Sequence, residues 1–337
     1  MAGTLHGFGL GVASKNANGD VLDVFYPAPL ANISGDLVSI FDGVSGELKA
    51  TEIRALSDGL RSAGEHALAD IAVRLSEAGR PVVASLLADN AAPQTVADAY
   101  LKLHLLSHRL IKPHGTDLTG MFALLPNVAW TDEGPIDLAE LADRQLTSRL
   151  KGRVLEVASV DKFPKMTNYV VPSGVRIAHT ARVRLGAYLG SGTTVMHEGF
   201  INFNAGTDGP GMIEGRISAG VMVGKGSDLG GGCSTMGTLS GGGNIIISVG
   251  ESCLLGANAG LGIPLGDRCT VEAGLFVTAG TKVTVLDDAR EAVETLAARH
   301  LSGKSDLLFR RNSQSGSVEC LTNQTAIELN ESLHDNN

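Results

Sequence analysis

From Ile177 onward the sequence sets an aliphatic residue at every sixth position, at Ile177, Val183, Leu189, Val195 and Ile201. A period of six suits neither the 3.6 of an α-helix nor the 2 of a simple alternating strand. It resumes in new phases at Ile217, Val223 and Leu229, at Val249, Leu255 and Leu261, and at Leu265, Val271, Val277 and Val283, which makes fifteen hexads. Such a repeat marks a parallel β-helix, in which each hexad is one short flat strand plus a turn and stacked coils align their aliphatic residues. Three hexads per coil give a triangular prism of about five coils. The chain's 43 glycines find their reason there, because prism corners demand tight turns and close approach. Three phase breaks, at 202–212, at 230–244 and between Leu261 and Leu265, are expected to be loops leaving the prism. Loops on a rigid scaffold commonly carry sites.

The flanks read differently. Residues 1–165 are expected to form an α/β domain, 166–286 the β-helix, and 287–337 a C-terminal helix-plus-hairpin extension. Leu56, Leu60, Ala67, Ile71 and Leu75 fall at helical spacings within 53–79, with Gly79 as the stop. Further helices are expected within 95–112 and 136–152, and a hairpin between 7–15 and 19–26. In the tail, 287–301 reads as a helix, and 307–313 with 316–322 as a hairpin bearing the adjacent Arg310 and Arg311, an anion-binding candidate.

A net charge of −9 argues against nucleic acid or an anionic membrane as partner. Cys233, Cys253, Cys269 and Cys320 show no CxxC spacing, which supports neither a metal centre nor a disulfide framework. The start lacks the basic and apolar regions of a signal peptide, and no 18 apolar residues run together, so the expectation is a soluble cytoplasmic protein. GVMVGKGS is one residue short of a phosphate loop, GLGIPLG has the wrong spacing for a dinucleotide fingerprint, and GGCSTMG is not the GxSxG elbow.

Taken with the hexads, the stretches VMHEGFINFNAGTDGPGMIEGR, KGSDLGGGCSTMGTLSGGG and LLFRRNS resemble tetrahydrodipicolinate N-succinyltransferase, in the longer form with an extended N-terminal domain. The likeness is strongest from Asp161 to Val283. It implies a left-handed β-helix and homotrimers with active sites between neighbouring β-helices. It also implies transfer of a succinyl group from succinyl-CoA to the amino group of open-chain tetrahydrodipicolinate, 2-amino-6-oxopimelate, in diaminopimelate and lysine biosynthesis. Succinyl-CoA would be a co-substrate, with no prosthetic group. A Mg2+ ion on the trimer axis is implied by some members, although the sequence offers no ligand cluster for it and its ligands stay unknown.

Glu198 matches the family's essential glutamate in MHEGF. It could act as a general base on the substrate ammonium, or as a nucleophile that forms a mixed anhydride with the succinyl group. His197 ranks second, because neighbouring strand side chains point to opposite faces and only one of the two can face the substrate. A tetrahedral intermediate needs backbone N–H donors, which glycine lets a ligand approach closely, and Gly220 in ISAGV is the candidate. Gly215, Ser218, Gly256 and Ala257 would lie along the pantetheine arm of CoA, and Arg310, Arg311, Asn312 and Ser313 at its phosphate end. Arg182, Arg184, Arg216, Asn202 and Asn204 are candidates for the acceptor's carboxylates. An acetyl-CoA-dependent transferase on a similar amino-dicarboxylate is the alternative. A zinc-binding solenoid would need three histidines on neighbouring coils, and the repeat holds only His179 and His197.

Overall fold

The structure, a computed structural model, describes residues 4–237 and 245–322. The chain divides into two units: residues 1–111, 115–164 and 168–170 form one, and 112–114, 165–167 and 171–337 the other.

In the first unit an antiparallel sheet runs in the order Val21–Phe25, Leu5–Lys15, Val82–Leu87, Gly46–Glu47, with Leu30–Ile33 also paired to Leu5–Lys15. The expected hairpin is present, with Val12 opposite Phe25 and Ala13 opposite Val24. Asn16 closes its turn by accepting the backbone N–H of Asn18 and Asp20 at 3.1 and 2.8 Å. The single helix expected over 53–79 is two helices, Ala50–Ser62 and His66–Ser76. Gly64 takes φ +84 between them, and the Glu65 N–H bonds back to the Leu60 carbonyl at 2.9 Å. Both helices bury their apolar residues in one core with Phe8, Leu10 and Phe41, so the periodicity runs through the break and conceals it.

Helix Val96–Ser107 opens with a capping box between Thr95 and Asp98 and is buried on nearly every side. His104 lies wholly inside it. Its Nδ1 donates to the Tyr100 carbonyl at 2.7 Å, and its Nε2 accepts the Tyr26 N–H at 3.2 Å. Burial pushes the imidazole down to about 3, so it stays neutral. Helix Leu138–Leu150 starts at Asp137, whose carboxylate accepts the Ala139 N–H at 2.9 Å.

In the second unit, short parallel strands rotate through three sheets. The first face stacks Ile177, Val195, Ile213, Leu229, Leu255, Val271 and Phe309. The second stacks Val183, Ile201, Ile217, Thr235, Leu261 and Val277. Leu189, Thr207, Val223 and Val249 form the third, where the Leu265 N–H joins Ser248 at 2.9 Å. Residues 177 to 271 thus complete five turns. Nearly all these side chains are buried, each contributing on the order of 2 kcal/mol.

The expected loop at 202–212 does not leave the coil. Strands Ala205–Thr207 and Gly211–Ile213 continue it in phase, and the pattern is hidden because Thr207 stands at an aliphatic position. Its buried hydroxyl pairs with that of Thr193 at 2.7 Å, which removes the cost of burying it. The breaks at Ile213–Ile217 and Leu261–Leu265 are shortened corners, four residues instead of six. Of 230–244, residues 230–237 stay in the coil with Thr235 in its column, and 238–244 lie outside the described residues. Gly206 shows how closely the coils approach, since a Cβ there would sit 1.8 Å from the Tyr188 carbonyl oxygen.

The helix expected over 287–301 is instead strand Ala292–Ala297, antiparallel to Lys282–Leu286, followed by a short 3-10 turn, Ala298–Leu301. Pairing along the last coil and burial of Ala298 and Leu301 override the segment's helical composition. The expected hairpin is present as Leu307–Arg311 against Val318–Thr322, and Phe309 caps the first-face column.

Candidate active site

Two edges of the coil carry the candidates. The first edge, between the first and second faces, stacks the turns that hold His197 and Glu198, Glu214 and Gly215, Gly230 to Cys233, and Gly256 and Ala257. The second edge, between the second and third faces, carries Asn202 to Asn204 and Ser218 to Gly220.

Glu198 sits in the turn after strand Thr193–Val195. One carboxylate oxygen is 3.2 Å from the Arg182 guanidinium, one coil below, and the other is 3.5 Å from His197 Nε2. Strand alternation therefore does not separate His197 from Glu198. The two occupy a corner rather than a strand, and both side chains are exposed. Arg182, Glu198, Phe200, Glu214, Gly215, Arg216 and Ser234 line an open cleft of about 430 Å³. Arg216 donates to the Ser234 hydroxyl through Nε and Nη2, at 3.2 and 2.8 Å. Arg184 lies on the same face, its guanidinium 5.8 Å from the Phe200 ring centre and 3.3 Å from Asn202 Oδ1.

Gly220 belongs to the second edge, away from Glu198. Its φ of +85 requires glycine, but its N–H already donates to the Asn204 carbonyl at 2.9 Å. The amide offered to a tetrahedral intermediate is thus spent inside the fold. Ser218 is committed as well, its hydroxyl donating to the Thr235 carbonyl at 2.7 Å. Asn204 Oδ1 accepts the His114 N–H at 2.9 Å, and the His114 imidazole bonds the Gly220 carbonyl at 2.8 Å. Lys112, close by in sequence, pairs with Asp208. Sequence reasoning missed His114. Its sole local signal is the Pro113–His114–Gly115 turn chemistry, 90 residues before Asn204.

In the C-terminal hairpin the four anion candidates divide. The Arg310 guanidinium binds Glu319 at 2.9–3.0 Å, and Asn312 donates to the same carboxylate at 2.7 Å. The Asn312 bond and then the Arg310 charge hold this buried carboxyl below the usual range. Arg311 and Ser313 remain on the surface, with Arg311 bonded to the Gly316 carbonyl at 2.8 Å. Burial pushes the Cys233 thiol up to about 12, which leaves it unsuited to nucleophilic attack. Among the described residues no three His, Cys, Asp or Glu side chains gather as metal ligands, so the implied Mg2+ has no support within one chain.

Residues 125–165 match the family model described as tetrahydrodipicolinate N-succinyltransferase middle, and 246–279 the hexapeptide repeat of succinyl-transferase. The chain is 63% identical to a Pseudomonas aeruginosa protein and 62% identical to one from Pseudomonas putida, with all of both chains covered in each case. A Vibrio cholerae protein is 57% identical over 98% of each chain. All three are named 2,3,4,5-tetrahydropyridine-2,6-dicarboxylate N-succinyltransferase. A solved Campylobacter jejuni structure, provisionally described as a 2,3,4,5-tetrahydropyridine-2-carboxylate N-succinyltransferase, superposes with a TM-score of 0.87 at 33% identity. The match covers 96% of this chain and 93% of that one.

Proposed function

The chain belongs to the tetrahydrodipicolinate N-succinyltransferase family, and from that footing we propose how its residues move succinyl from succinyl-CoA to the amino group of 2-amino-6-oxopimelate. This is the succinylase step toward diaminopimelate and lysine. The parallel coil is a left-handed β-helix, and three copies assemble in the cytoplasm with each site shared between neighbours.

The Glu198–Arg182 pair carries the reading of the site. A carboxylate at a coil corner, beside a cleft that holds Arg182 and Arg216 together with Glu214, offers both cationic partners for anionic substrates and a group to handle the transferred proton or acyl carbon. Arg182, Arg184 and Arg216 on the second face supply cationic forks for the acceptor's carboxylates, aided by Asn202. Pantetheine lies along the first edge past Gly215, Gly256 and Ala257, and Arg311 with Ser313 meets the phosphates. Glu198 has two uses open to it, taking the ammonium proton or accepting the succinyl group as a mixed anhydride.

The test is thiol release from succinyl-CoA, with and without the amino-oxopimelate acceptor, in the parent and in Glu198→Gln. The expected result is acceptor-dependent release in the parent and a loss of about 100-fold or more in kcat for the variant, which stays assembled. Near-normal turnover in Glu198→Gln would remove this residue from the chemistry.

A further inference from the structure

We infer that His114 is the proton acceptor of this reaction, delivered from a neighbouring copy of the chain to the edge that carries Glu198. The inference rests on the reading that sites are shared between copies, and it decides between the two uses of Glu198.

The backbone is the first ground. His114 holds φ +67, and Asn204, whose side chain accepts its N–H, holds φ +52. Two non-glycine residues in the left-handed region, in direct contact, are a strained arrangement, and His114 recovers nothing through burial because it is exposed. The strain is kept in place by the Asn204 side chain and by the Gly220 N–H on the Asn204 carbonyl. Strain maintained beneath an exposed imidazole points to a use for the ring.

The tautomer is the second. His114 Nε2 lies 2.8 Å from the Gly220 carbonyl oxygen, an atom that only accepts. In the neutral ring that bond puts the proton on Nε2 and leaves the lone pair on Nδ1, the tautomer a general base acting through Nδ1 requires.

Position is the third. Within one chain, strand Phe200–Ile201 lies between the two edges, with Glu198 at the corner before it and Asn204, which holds His114, at the corner after it. His114 and Glu198 of the same chain therefore sit on different edges. When the first edge of one copy faces the second edge of the next, the contact is heterologous, and repetition about an axis closes a ring in which they do converge.

A Glu198 oxygen attacks the thioester carbonyl carbon, the C–S bond breaks, and CoA leaves as thiolate. Nδ1 of the neighbouring His114 takes one proton from the acceptor's ammonium, and the free amine attacks the anhydride carbonyl. The bond to Glu198 breaks and restores its carboxylate. The second amine proton converts the CoA thiolate to thiol, and His114 returns its proton to water.

The test uses Glu198→Gln and His114→Gly, made singly and co-expressed one to one. Glycine accepts φ +67 freely, so His114→Gly should keep or raise Tm while kcat falls about 100-fold or more. His114→Asn, which also tolerates the left-handed region, should behave alike. In mixed rings a site is whole when a His114→Gly copy supplies Glu198 and its neighbour supplies His114. That arrangement is one in four, so about one quarter of parent turnover should return. No recovery in mixed rings whose composition is verified by native mass spectrometry overturns the inference. So does a His114→Gly enzyme within about twofold of the parent, while Glu198→Gln stays inactive and its own reading survives. Normal turnover in Glu198→Gln overturns both.

Discussion

Acidifying the protein from pH 6.5 to 4.5 should destabilise the N-terminal unit mainly through one ring. His104 is fully buried, and its Nε2 must stay unprotonated to accept the Tyr26 N–H. Its folded pKa of about 3 lies far below the unfolded value near 6.5. The unfolded chain therefore binds a proton below pH 6.5 that the folded chain refuses until about pH 3. The sign is fixed: this stabilisation is complete above 6.5 and is lost as pH falls through the window. At about 1.4 kcal/mol per pH unit, the two units down to 4.5 cost about 3 kcal/mol. His108, whose ring stacks on His104 at 5.9 Å and is likewise lowered by burial, adds a part of the same sign. Asp23 opposes them. Burial raises its carboxyl, so its contribution declines as pH rises above the ordinary carboxylate range. Comparing the parent with His104→Gln cancels these neighbours. The assay is urea unfolding followed by Trp130, the chain's only tryptophan, buried in the same unit with its Nε1 on the Asp161 carbonyl at 2.9 Å. The parent should lose about 3 kcal/mol between pH 6.5 and 4.5 and the variant much less. Parallel curves in the two proteins would refute the reasoning.

Arg310→Ala should lower Tm, because Glu319 would be left buried without its cation, whereas Arg311→Ala should leave Tm unchanged and raise KM for succinyl-CoA about tenfold. Differential scanning fluorimetry and steady-state kinetics separate the two roles. Gly206→Ala should abolish soluble expression, since the added methyl would overlap the Tyr188 carbonyl, and a soluble variant with parent Tm would contradict that packing. In competition kinetics succinyl-CoA should exceed acetyl-CoA about 100-fold in kcat/KM, because a site built to pair a cationic side chain with the donor's distal carboxylate leaves that side chain unpaired when the donor lacks it. Equal rates would favour the acetyl reading.

The coil was legible because its core is a repeating column, and repetition turns a long-range contact into a local spacing. It became illegible where a polar residue took an aliphatic place. Thr207 and Thr235 occupy column positions with their hydroxyls bonded, Thr207 to Thr193 and Thr235 to the Arg216 carbonyl at 3.1 Å. A scan for branched aliphatics reads both as interruptions. Shortened corners at Ile213–Ile217 and Leu261–Leu265 shift the phase without adding a loop, and a phase shift looks the same from sequence whether residues are inserted or removed. Residues 287–301 failed for another reason. Their Ala, Glu, Leu and Arg content favours a helix, and only the exposed edge of Lys282–Leu286 makes strand pairing the better state.

The site divides along the same line. Glu198, Arg182 and Gly215 are site candidates on the sequence, and the fold sets all three on one edge, because residues about one coil apart in sequence are neighbours in space. Asn204 comes from the same motif and Ser218 and Gly220 follow it closely, yet the next corner carries all three to another edge, so closeness in sequence there means separation in space. His114 is the converse, far away in the chain and bonded to Asn204 and Gly220. On the proposed reading, chemistry lies on two edges of the coil, and the strand face between them holds the two apart within one copy. The residues become one site only if a second copy turns its other edge to the first, and assembly then belongs to the mechanism as much as any side chain does.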